Sequence, residues 1–187
     1  MKHCGTIPLE TEHLLLRRFT VEDIEPMYKN WASNPIVTRY LIWAAHHSEE
    51  ETRAVIEGWI RQYRHKNFYE WAVVEKATGS LIGSIGLVDT PESRTCSEAG
   101  YCFGEPWWNH GYATEALRVV LDLAVNHIGY KRIIAKHAIE NPASGRVMQK
   151  AGMSLCIGQN LAVSTANGLY HCYLYEYRAP SKRHHFW

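Results

Sequence analysis

The residues with the clearest chemical potential are Trp107-Trp108-Asn109-His110-Gly111-Tyr112-Ala113-Thr114-Glu115-Ala116. A strand-like run, Glu98 to Gly104, leads into them, and a helical pattern starts at Tyr112. A tight loop that opens directly into a helix aims unpaired backbone N–H groups at one spot. The helix dipole adds partial positive charge there, so the spot binds anions. An ordinary strand–helix turn would use Gly111 equally well, for its backbone freedom. The loop is neither GxGxxG nor GxxxxGKS/T, which argues against a dinucleotide crossover and a P-loop.

The elements around this loop follow from periodicity. Residues 13–19 read as a first strand. Thr20 is a good N-cap, with Ile24, Met27, Tyr28 and Trp31 at helical spacing until Asn34-Pro35. Ser48 with Glu51 reads as a capping box opening a helix over 48–65. Tyr69 to Glu75 and Leu81 to Val88 read as an antiparallel hairpin turned by Thr78-Gly79, and 90–95 as a polar loop. The helix from Tyr112 to about His127 is apolar almost all round, so it is predicted to be buried. Residues 132–139 read as a strand, and 143–150 as a short helix stopped by Gly152. Strands near 153–158 and 169–177 follow, with Asn167-Gly168 as a hairpin turn.

With 187 residues, 46% hydrophobic and 21% charged, the chain suits one globular domain. A core over about 9–178 and a loose tail at 179–187 are expected. Twenty basic residues nearly cancel nineteen acidic ones, so nothing draws the chain generally to nucleic acid or acidic membranes. The first residues lack a signal peptide's apolar run, which makes the cytoplasm the expected location. Five cysteines without a CxxC pair read as reduced thiols, and no metal site is expected.

Taken in order, the motifs resemble the GCN5-related N-acetyltransferases, in the branch that acetylates ribosomal-protein N-termini (the RimJ/RimL type). The carriers are Leu9-Glu10-Thr11-Glu12, Leu14-Leu15-Leu16-Arg17, Trp71-Ala72-Val73, Gly83-Ser84-Ile85-Gly86-Leu87 and Glu98-Ala99-Gly100-Tyr101. Trp108-x-x-Gly111-Tyr112-Ala113-Thr114-Glu115-Ala116-Leu117, Asn141-x-x-Ser144 and Lys150-Ala151-Gly152-Met153 complete the set. The resemblance implies an α/β fold with a mixed, largely antiparallel, splayed sheet flanked by helices. It also implies acetyl-coenzyme A as co-substrate, an amine acceptor (a protein N-terminus or a small molecule) and a monomer or homodimer.

By the same resemblance, Trp108, Asn109, His110, Gly111, Tyr112, Ala113 and Thr114 bind the coenzyme, with its pyrophosphate on the backbone N–H groups of residues 109–114. The pantetheine arm pairs beside Cys102 and Phe103, and Asn141 contacts it. Glu98 is the expected base, and a structural carboxylate in the sheet is its other reading. Ser144 stands for the proton donor of this branch, or for a helix-start or coenzyme contact, because the superfamily's usual tyrosine falls at Met148. Trp43, His46 and Trp71 are expected on the acceptor side. Asn109-His110 replaces the branch's usual Gly-Lys and removes one cation, although Asn tolerates a left-handed backbone.

Acetyl transfer needs a neutral amine. An α-amine, with a pKa of ~8, is roughly a tenth neutral at pH 7, whereas a lysine side chain is neutral less than about one part in a thousand. The site is therefore better matched to α-amines or other low-pKa amines. A non-catalytic acyl-coenzyme-A-binding module is the alternative reading.

Overall fold

The computed structural model describes residues 1–91 and 93–179. Its frame is one sheet of eight strands: β1 (Leu9–Glu10), β2 (Leu14–Arg17), β3 (Tyr69–Glu75), β4 (Leu81–Thr90), β5 (Ser93–Phe103), β6 (Arg132–Ala138), β7 (Ser154–Thr165) and β8 (Gly168–Arg178). The spatial order is β1-β2-β3-β4-β5-β6-β8-β7. Only β5 and β6 run parallel; every other neighbouring pair is antiparallel. This is the mixed, largely antiparallel sheet expected from the sequence. The helices are α1 (Ile24–Met27), α2 (Pro35–Thr38), α3 (Glu49–Gln62), α4 (Tyr112–Asp122) and α5 (Pro142–Lys150).

The strand period of two sends alternate residues of β3 to opposite faces. Tyr69, Trp71 and Val73 join the core under α4, while Ala72 and Val74 join the core under α1 and α3. From α4, Ala116, Leu117, Val120 and Leu121 are buried in the first layer, which fits the nearly all-round apolar pattern of that segment.

Several local expectations change. The hairpin of β4 and β5 continues to the pair Thr90↔Ser93, so most of 90–95 is strand, and backbone pairing overrides its polar side chains. The helix expected over 20–34 is broken into a 3-10 turn, α1 and a wide π-type turn at Tyr28–Ala32. Ser48 makes no side-chain cap, and Glu51 accepts instead from the His47 backbone N–H at 3.0 Å. β7 runs well beyond 158, with a register break between Leu155 and Asn160. Except for Ala179, the expected tail lies outside the described residues. Among those residues, no helix is long and apolar enough to cross a membrane.

A bidentate ion pair pins α1 to the end of β2. Arg17 donates to both carboxylate oxygens of Asp23, at 2.7 and 2.8 Å. The same carboxylate accepts from the Thr20 N–H at 2.8 Å, and Asp23 is buried. Asp23→Ala leaves the Thr20 N–H without this partner and the Arg17 guanidinium with only the Arg18 carbonyl. It is expected to lower the unfolding free energy by about 2–3 kcal/mol, measured by urea denaturation.

Candidate active site

The parallel pair β5–β6 is short. It holds only at Cys96↔Arg132, Ser97↔Ile133 and Glu98↔Ile134. Beyond this point β5 stays with β4 as far as Phe103, and β6 stays with β8 as far as Ala138. The two strands therefore part after Glu98, and residues 99–103 of β5 have no strand partner on the side facing β6. An open strand edge of this kind can pair with an extended chain laid beside it.

The helix-opening loop lies at the end of the same β5. Asn109, at φ 63°, is the one non-glycine residue with positive φ among the described residues, and Gly111, at φ 84°, caps α4. These two left-handed residues make the reversal that feeds the chain into the helix. Gly111 has no side chain to cap with, so the first N–H groups of α4 are left for an outside acceptor. A methyl group built on Gly111 would meet nothing within 4 Å, so its backbone angle is what demands glycine.

The loop is braced from within. The Trp108 indole N–H donates to the Phe103 carbonyl at 2.8 Å. The His110 ring nitrogen Nδ1 lies 2.8 Å from the Trp108 carbonyl, and that ring stacks on Tyr112 at 5.6 Å. The Tyr112 hydroxyl donates to Glu75 at 2.5 Å. Thr114 is buried and Ala113 partly so.

A groove of about 510 Å³ runs past His110, Gly111 and Thr114, and Arg118 and Lys150 also line it. These two cations lie nearly two turns along α4 and at the end of α5. The same lining carries Glu12 and Glu115, so the two cations offset its carboxylates. The convergence of Arg118 and Lys150 is not visible in the sequence, because 32 residues separate them. The donor chemistry of the loop and these cations fits a phosphate-bearing ligand.

On the far side of the gap, the Asn141 carboxamide oxygen accepts from the Ser144 N–H at 3.4 Å and caps α5. The Tyr101 hydroxyl lies 2.8 Å from Ser144 Oγ and donates to the Ser144 carbonyl at 3.1 Å. This pair spans the gap from β5 to α5. Burial pushes the Tyr101 phenol up, so it keeps its proton. Met148, where a tyrosine would be expected, is a core residue.

The opposite face of β5 carries Glu98, Gly100 and Cys102. Glu98 is ion-paired with Lys136 at 3.1 Å. Burial foremost, and then neighbouring Glu70, push the Cys102 thiol up, which makes it a poor nucleophile. The sequence reading did not single out Glu70. Its signal was a lone carboxylate inside an apolar strand, between Tyr69 and Trp71.

Trp43 is half-buried with its ring 5.1 Å from that of His46. His46 Nδ1 lies 2.7 Å from the Thr52 hydroxyl, and burial lowers its pKa, so the ring stays neutral. Trp71 does not belong with them. It is 0% exposed, gives its indole N–H to the Ile7 carbonyl at 2.7 Å and packs in the layer under α4. The strand alternation that puts Glu70 on one face puts Trp71 on the other.

The β7–β8 hairpin reaches over this side. Its tip touches the segment after α2: Asn167 donates to the Thr38 carbonyl at 3.0 Å, and Ala166 N–H to the Ile42 carbonyl at 3.3 Å. Tyr40 packs edge-on against Tyr170 at 5.3 Å and donates to the Glu140 carbonyl at 3.3 Å.

Comparison with known proteins agrees with this geometry. Residues 13–154 match the family described as the acetyltransferase (GNAT) domain. An uncharacterized N-acetyltransferase of Bacillus subtilis, YoaA, is 31% identical over 144 residues, covering 77% of this chain and 81% of that protein. The crystal structure of a GNAT-family acetyltransferase from Bacillus anthracis superposes with a TM-score of 0.79 at 25% identity, covering 92% of this chain and 98% of that one. The ribosomal-protein-S5-alanine acetyltransferase of Vibrio fischeri has the same fold, with a TM-score of 0.78 at 15% identity and coverage of 94% and 98%. A strand fork beside an uncapped helix start, in a chain that matches the domain over three-quarters of its length, makes this protein a member of the GNAT family of N-acetyltransferases.

Proposed function

We propose that the protein transfers acetyl from acetyl-coenzyme A to a primary amine by direct attack in a ternary complex. The carrying observation is that the β5–β6 fork opens beside the uncapped start of α4. The loop residues Asn109 to Thr114 would hold the pyrophosphate through backbone N–H groups, with Arg118 and Lys150 adding charge. The free edge of β5 at Cys102 and Phe103 would pair with the pantetheine arm, and Asn141 would meet it from α5. A backbone N–H near Phe103 would stabilise the negative charge that develops on the acetyl oxygen.

Two sets of side chains then divide the proton traffic. Ser144, held by Tyr101, stands where the leaving sulfur would need a proton. Glu98, ion-paired to Lys136 at the fork, bounds the acceptor side with Trp43 and His46. The high thiol pKa of Cys102 supports direct attack over a covalent acetyl-enzyme. Five free thiols support a reducing, cytoplasmic setting. The acceptor class that fits best is an α-amine or another amine of low pKa. Likeness of fold to the Vibrio fischeri protein supports a protein N-terminus among the candidates.

Calorimetry with acetyl-coenzyme A, followed by thiol release over a panel of peptide N-termini and small amines, tests the proposal. Binding and amine-dependent release are expected; binding without release on any acceptor would favour a non-catalytic module. Gly111→Val forces a β-branched residue into the left-handed region, and acetyl-coenzyme A affinity should fall at least about tenfold by calorimetry. An unchanged affinity would refute the placement of the pyrophosphate. Ser144→Ala and Tyr101→Phe should each lower kcat about tenfold or more while changing acetyl-coenzyme A affinity little. If the two act as one unit, the double variant should lose no more than the worse single one.

A further inference from the structure

Glu70 is a carboxylate set into an apolar face. Its carboxyl group lies over Gly86, the residue opposite it on β4, where a methyl group would collide with it. Gly86 in turn pairs with Gly100 of β5. Glu70, Gly86 and Gly100 thus form one row across three strands, and the last two members have no side chain. A methyl group built on Gly100 would meet nothing within 4 Å, so this end of the row is open space.

Gly100 is also the first residue on this face beyond Glu98, the point where β6 turns away. Strands lie about 4.8 Å apart. A bare lane about one strand wide therefore joins the Glu70 carboxyl group to the mouth of the acyl gap. The next row on the same face is Ala72, Ser84 and Cys102.

We propose that Glu70 lines the acceptor pocket and takes the proton from the attacking amine. This rests on the acetyl-transfer reading. The amine nitrogen forms a bond to the acetyl carbon as the carbon–sulfur bond breaks and the electron pair leaves on sulfur. The proton lost by nitrogen goes to the Glu70 carboxylate, and the sulfur takes one through the Tyr101–Ser144 pair. Glu70 then gives its proton to solvent, which restores the pair. Glu98 is the less suitable base because its carboxylate is already engaged by the Lys136 ammonium.

The surroundings suit this role. Burial, partly offset by the Ser84 hydrogen bond, pushes the Glu70 carboxyl group up to about 8. From α3, the Tyr63 hydroxyl donates to the Glu70 backbone carbonyl at 2.9 Å, and burial holds that phenol neutral. From β5, Cys102 is a neutral thiol. At the end of β2, Arg17 and Asp23 neutralise each other. A base near 8 is matched to an α-amine of pKa ~8 and mismatched to a lysine side chain at ~10.4.

Glu70→Gln keeps the shape and removes the base. The pH dependence of kcat should rise through about 8 in the wild type, and this limb should vanish in Glu70→Gln with a loss of about 100-fold at pH 8. Glu98→Gln should lower the rate but keep the limb. A limb that survives in Glu70→Gln belongs to the acceptor and overturns the proposal, as does a limb lost in Glu98→Gln alone.

A second readout needs no acceptor. A carboxyl group whose pKa is raised by folding stabilises the protein below its unfolded pKa, and this contribution is lost as pH rises through the folded value. The Tm of Glu70→Gln minus that of the wild type should therefore climb between about pH 5 and 8.5. A difference that is flat over this range overturns the proposal even if acetyl transfer is confirmed. A climbing difference in a protein that acetylates no amine overturns the acetyl-transfer reading and, with it, the catalytic role of Glu70.

Discussion

The strand fork is the constraint on which the rest of this molecule depends. A backbone N–H or C=O without a partner is costly in a protein interior, yet β5 and β6 give up their mutual pairing after three residues. Each strand is stabilised by its outer neighbour, β4 on one side and β8 on the other, so the gap does not collapse. The unmade hydrogen bonds at the fork are a template for an extended ligand.

The two flanks of the fork differ in character. The donor flank is rigid: the Trp108 indole ties the helix-opening loop back to the last residue of β5, and α4 is buried along most of its length. The other flank is where protons would be handled, with the Tyr101–Ser144 pair across the gap and the carboxylates of Glu98 and Glu70 on the opposite face. Strand alternation separates these groups. Tyr101 points to one face, Gly100 and Cys102 to the other, so on the proposed reading the leaving sulfur and the incoming amine would meet separate sets of side chains.

Much of this could be read in the chain. The boundaries of β3 follow from its residues alone, and the left-handed tolerance of Asn predicts how the loop survives without a glycine at 109. The sheet class followed from the ordered motifs. What could not be read depends on register. Glu70 becomes notable only once Gly86 and Gly100 are known to lie in its row, and no local pattern specifies cross-strand partners so far apart. Arg118 and Lys150 meet only because α4 and α5 pack together. Trp71 was misplaced because aromatic character does not reveal which face a strand residue takes. Ser48 fits the capping-box spacing, but Glu51 is drawn to the His47 backbone instead.

The contact between the β7–β8 hairpin tip and the segment after α2 has a consequence for divergence. Both pieces lie at the periphery and contribute none of the groups that would cradle the donor. They meet through two backbone carbonyls, the Asn167 carboxamide and one pair of tyrosine rings, so their other side chains can vary at little cost to the frame. On the proposed reading, a lineage built on this plan could exchange its clientele by rewriting two surface segments and inherit the transfer chemistry unaltered.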